Sequence, residues 1–146
     1  MWSDTLLLAE RAHLVRLLGW GAASMLLGSA ILALLAVRRV SSPLLANFAI
    51  QTAAWGTLDL ALAALAWRAL APRDISGATR LDRLLWLNTG LDVGYVAVGI
   101  TLVITGWVLG RRLAPIGAGL GIIVQGAALL LLDVRFIAII RGLTVA

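Results

Sequence analysis

Three aspartates, Asp59, Asp92 and Asp133, stand inside long apolar stretches of a 146-residue chain that is 62% hydrophobic and 13% charged. A charged Asp near the centre of a bilayer costs a few kcal/mol, so such a group should face a bundle interior and be paired, protonated or bound to something. Its neighbours are polar at helical spacing. Asn47, Gln51, Trp55 and Asp59 follow at steps of four, which drift by about 40° a step and hold one broad helical face. Asn88, Asp92, Tyr95 and Gly99 make a narrower stripe, and Gln125 and Asp133 lie roughly 80° apart on a fourth helix. Depth draws the acids together. Asp59 precedes Arg68 by nine residues, Asp92 follows Arg83 by nine, and Asp133 precedes Arg141 by eight. At 1.5 Å per residue, each carboxyl is expected about 12 to 14 Å from one Arg-marked level. Asp92, Asp59, Asn88, Tyr95, Gln51, Gln125, Asp133 and Asn47 are therefore the candidate site for a proton, a cation or a small polar ligand, with Asp92 foremost because its stripe is narrowest. The structural alternative is that these groups hydrogen-bond between helices, at about 0.6–2 kcal/mol each, and only set helix register. Arg16 and Arg135 are candidates to neutralise part of the cluster.

Other chemistries find no residues. The chain has no Cys and no Lys, which removes thiolate, iron–sulfur and Schiff-base chemistry. Its one histidine, His13, cannot make a multi-histidine metal site or a bis-histidine haem, and is expected at headgroup level. Neither a nucleophile elbow, nor HExxH, nor a phosphate-binding loop occurs; Gly117, Gly119 and Gly121 lie within an apolar run with no strand before them. We therefore expect no bound cofactor, no metal site and no catalytic residue, with carboxylate acid–base work on a lipid as the enzymatic alternative. The net charge of +5 comes from arginines grouped between apolar runs, a membrane-anchoring pattern that argues against a nucleic-acid partner.

The elements that must carry these residues are four apolar runs, 14–37, 44–70, 84–109 and 113–140, each long enough to span a bilayer as a helix. The expected fold is all-α, a four-helix transmembrane bundle in a single domain over residues 1–146. Pro43, Pro72 and Pro115 fall between the runs or at the start of one. Ser42 reads as an N-cap, and Thr79 with Asp82 resembles a capping box for the third helix. Residues 1–13 carry acids and lack the form of a cleavable signal, so they should remain as an interfacial turn. Eight arginines flank the spans on one side and four on the other, which favours both termini in the cytoplasm. Trp20, Trp67 and Trp86 near one face and Trp107 near the other fit aromatic belts.

A repeat runs through the pattern. Arg38, Arg39, Pro43, Gln51 and Asp59 recur as Arg111, Arg112, Pro115, Gln125 and Asp133, offset by 72 to 74 residues with Gln-to-Asp spacing of 8 in both. Two tandem helical hairpins, related by a pseudo-two-fold axis along the membrane normal, are expected. Gly90/Gly94, Gly106/Gly110 and Gly117/Gly121 have the spacing that permits close helix approach. The stretch Trp86, Asn88, Gly90, Asp92, Gly94, Tyr95, followed by Val124, Gln125, Gly126, Leu132 and Asp133, resembles uncharacterised four-helix bacterial membrane proteins of unknown function. That resemblance covers the second half best, reaches Asn47 to Asp59 weakly, and implies architecture alone. The reading is a non-enzymatic protein of the bacterial inner membrane whose interior cluster binds a proton, cation or small polar ligand. The alternative is an accessory subunit of a larger membrane complex, or a homo-oligomer, docking through its Gly/Ala faces.

Overall fold

The computed structural model describes residues 2–145 as four helices, α1 (Trp2–Arg38), α2 (Pro43–Arg68), α3 (Ile75–Val108) and α4 (Leu113–Val145). All four are long and apolar enough to cross a membrane. Large apolar side chains such as Leu26, Leu34, Leu65, Ile104 and Leu131 point outward, as the lipid-facing surface of such a bundle requires. The chain is a four-helix membrane bundle.

Helix ends follow the local chemistry, with two departures. Ser42 caps α2, its Oγ accepting from the Leu45 amide at 3.3 Å, with Pro43 at the first helical position. Helix α3 begins earlier than expected. Asp74 is its cap, Oδ1 accepting from the Gly77 amide at 2.7 Å, while the Thr79 hydroxyl donates to the Ile75 carbonyl and caps nothing. Helix α1 likewise runs unbroken from Trp2, so the amino-terminal stretch is a full extension and not a separate interfacial turn. These extensions are held by packing: Leu6, Leu81, Leu85, Phe136, Ile137 and Ile140 bury one another where α1, α3 and α4 overshoot α2. Both tight turns use a left-handed arginine, Arg39 (φ 52°) and Arg111 (φ 57°), at the two Arg pairs that mark the repeat.

Helix α1 packs on α2, α3 on α4, α2 on α4, and α1 more lightly on α4. Among the described residues, no Cα of α3 comes within 8 Å of one of α2 or α1. Glycines set the close crossings. A Cβ on Gly28 would lie 2.5 Å from the Ala49 carbonyl oxygen, and one on Gly117 would collide with the backbone of Leu44. Gly106 and Gly121 are also at crossings, whereas Gly90 and Gly94 face outward with nothing within 4 Å of an added Cβ, and Gly110 lies in a turn at φ +89°. Helices α2 and α4 run parallel, and their contacts are in register: Leu44 meets Gly117, Phe48 meets Gly121, and Gln125 Nε2 reaches the Thr52 carbonyl, partners 73 residues apart in the chain.

Candidate functional site

Where α2 and α3 fail to meet, a cavity of about 550 Å³ opens, lined from all four helices. Asp59 on α2, Asp92 and Asn88 on α3 and Asp133 on α4 all line it, with Trp55 and Tyr95 at the end nearer the Arg39 and Arg111 turns. Their rings touch at 4.8 Å between centroids, tilted by 54°. The three carboxyls are 8%, 4% and 5% exposed and close enough to interact electrostatically. Leu14, Leu17, Ala63, Ala66 and Leu129 make most of the wall apolar.

The acids are not equivalent. His13 Nε2 lies 3.3 Å from Asp133 Oδ1, and the imidazole stacks on Phe136 with centroids 4.4 Å apart and planes 13° from parallel. Asp59 Oδ2 and Asp92 Oδ2 are buried with no hydrogen-bond partner. A buried oxygen that accepts nothing carries its full desolvation cost, so these two atoms mark where a donor is missing from the protein itself. Toward the other end, Arg73 from the α2–α3 loop grips Glu10 of α1 with two hydrogen bonds, Nε to Oε2 at 2.9 Å and Nη2 to Oε1 at 2.6 Å. Those bonds hold the Arg73 guanidinium above its ordinary range. That cation is thereby committed to Glu10. Arg16 and Arg135 make no ion pair with the three aspartates among the described residues; Arg135 is exposed, and Arg16 lies beside Gly19 and Trp20 on another face.

The expected site is thus divided. Asp59, Asp92, Asp133, Asn88 and Tyr95 come together at the cavity, and Asn47, Gln51 and Gln125 do not line it. Asn47 donates to the Pro43 carbonyl of its own helix at 2.8 Å, and the Gln51 side chain packs at Gly121. Gln125, 2% exposed, ties three helices together by accepting from Trp20 Nε1 at 2.6 Å and donating to the Thr52 carbonyl at 3.4 Å. Trp20 is accordingly an internal clip and not a belt residue. The drift of the α2 stripe explains the split: over eight residues a four-residue step turns about 80°, from the α4-facing Gln51 to the cavity-facing Asp59.

His13, expected at headgroup level, is instead 4% exposed and inside the cavity wall. Glu10 and Arg73 also escaped the sequence reading. For Glu10 and His13 the available signal was their company: Leu6, Glu10, His13, Leu14 and Gly21 recur at helical spacing, so both occupy a buried stripe of α1. No three His, Cys, Asp or Glu side chains gather in a metal-holding arrangement among the described residues.

Residues 16–134 match the model of a family of unknown function, DUF6992, and the chain belongs to that family. The matched span holds the three aspartates, Asn88 and Tyr95, while Glu10 and His13 precede it. No curated protein and no solved structure matches the chain.

Proposed function

We propose that this is a non-enzymatic membrane protein that binds a proton, a cation or a small polar ligand at Asp59 and Asp92, with Asp133 and His13 beside them in the cavity wall. The observation that carries the reading is that Asp59 and Asp92, which line one cavity, each keep a buried carboxyl oxygen with no hydrogen-bond partner. Polar groups used purely for helix register satisfy each other, as Trp20, Gln125 and Thr52 do here. Asp59 and Asp92 lack such partners, which favours a ligand over register. The setting is a bacterial inner membrane with both termini cytoplasmic, on the excess of arginines flanking that side. A duplicated hairpin is proposed as its origin, supported by the 73-residue register between α2 and α4. The duplicated plan is broken where it matters: α1 packs on α4, whereas the corresponding α3–α2 seam is taken by the cavity.

Reconstituted vesicles loaded with a pH-sensitive or cation-sensitive dye test this. Asp92→Asn keeps the shape of the side chain and removes its charge, so binding or flux should fall while the folded protein survives. Unchanged flux, or a wild type that neither binds nor conducts and purifies in a fixed complex, would instead support the accessory-subunit reading.

A further inference from the structure

The shape and lining of the cavity narrow the ligand. At one end stands the Glu10–Arg73 pair, at the other the Trp55–Tyr95 contact. Between them the side of the cavity is the α2–α3 seam, where the two backbones stay more than 8 Å apart. Leu58 and Leu62 on α2 and Leu84 and Leu91 on α3 line the cavity yet are 44–62% exposed together with Leu65 beside them, so the lip of the seam is leucine facing lipid. An occupant coming through that lip must be soluble in hydrocarbon.

Its head must be a donor. Asp59 and Asp92 each keep a carboxyl oxygen with no partner, and the Arg73 guanidinium at the end of the cavity is already engaged with Glu10, while His13 lies beside Asp133. Trp55 and Tyr95 add aromatic faces, which attract a cation through the ring quadrupole. A volume of about 550 Å³ falls within the roughly 300–1,000 Å³ of small-molecule sites, far more than a bare proton or inorganic ion uses.

Resting on the ligand-binding reading above, we propose that the cavity takes a hydrophobic organic ammonium. It enters sideways from the bilayer between α2 and α3, donates N–H groups to the carboxyl groups of Asp59 and Asp92, and lays its apolar body along the leucine and alanine walls. Charge-assisted hydrogen bonds in a water-poor site supply the selectivity, and the leucine lip supplies the route.

The probe is labelled n-octylammonium, added to the full chain in lipid nanodiscs, with protein-free discs as baseline and n-octanol and n-octyl sulfate as chain-matched competitors. Saturable binding at one site per chain is expected, displaced by unlabelled octylammonium about tenfold or more better than by octanol, and not by the sulfate. Asp59→Asn and Asp92→Asn should each weaken binding about tenfold or more while circular dichroism melting shows a folded bundle. Leu91→Trp, at the lip, should slow association more than it changes affinity. Equal displacement by amine and alcohol, a comparison made on wild type alone, overturns the proposal, as do folded Asn variants with unchanged affinity. An unaltered association rate in Leu91→Trp overturns the lateral route. If octylammonium fails to bind saturably but vesicles show Asp92-dependent proton or cation movement, the ammonium falls and the ligand-binding reading stands. If both fail, both fall.

Discussion

Among the described residues, Asp59 and Asp92 stand out because each keeps a fully buried carboxyl oxygen without a partner. Glu10, equally buried, is satisfied by two bonds from Arg73, whose own side chain is 30% exposed. Glu10→Ala should therefore strand a half-buried guanidinium and lower stability by about 1–3 kcal/mol, read as an earlier unfolding transition in mild detergent. Glu10→Gln, which keeps one acceptor, should recover part of that loss. Asp74 gives a pH-dependent counterpart outside the membrane. The Gly77 amide and then the Ser76 hydroxyl hold its carboxyl below the usual carboxylate range. A group with its folded value depressed adds stability above its unfolded value of about 3.9, and that stability is lost as pH falls through the lower folded value. Asp74→Ala should thus unfold more easily than wild type at neutral pH, the gap closing in strong acid. A constant gap across a pH series of melts would show that the carboxylate charge contributes nothing.

Helices here meet through glycine, since bilayer lipid offers no hydrophobic incentive for one leucine surface to leave another. Which glycines matter depends on the crossing. Gly117 abuts the Leu44 backbone, which cannot move aside as a side chain can, whereas Gly94 looks outward with open space around it. Gly117→Val should cost about 1–3 kcal/mol and loosen α2 from α4, while Gly94→Ala should stay within about 0.5 kcal/mol. Parallel melts of the two variants check the difference, and comparable losses would mean that α3 uses its outer face against another chain. The same spacing rule thus describes Gly117/Gly121 and Gly90/Gly94 in sequence but not in packing.

As a whole the molecule is asymmetric across the membrane. Helices α1, α3 and α4 extend past α2 and bury a core around Phe136 at the end where most arginines lie. Arg141 stacks on Trp86 at that end, at 5.2 Å, and Arg111 on Trp107 at the opposite one, at 4.7 Å, arrangements suited to headgroup depth. With no native cysteine, Ser3→Cys and Ser41→Cys can be labelled singly in intact cells. An impermeant thiol reagent should reach position 41 from outside and position 3 only after permeabilisation. The reverse pattern would invert the orientation and place the Glu10–Arg73 end outside.

Composition alone settled the class of this protein, because a chain with four runs of this length and hydropathy can satisfy its backbone in lipid only as helices. Helical period then placed Asp59, Asp92, Asn88, Tyr95 and Asp133 on faces that do converge, since 3.6 residues per turn operates within one helix regardless of its partners. Period could not say which neighbour a face meets. Asn47, Gln51 and Gln125 shared the stripes but turned to their own backbone, to Gly121 and to Trp20, because crossing geometry is set by where backbones can approach. Glu10 and His13 showed only as members of a helical stripe, and Arg73 not at all, because a charge at the edge of a span has the same sequence whether it faces headgroups or a partner; the long extension of α1 is what put Glu10 beside the α2–α3 loop that carries Arg73. The cavity belongs wholly to tertiary structure, being the space left where α2 and α3 stay apart.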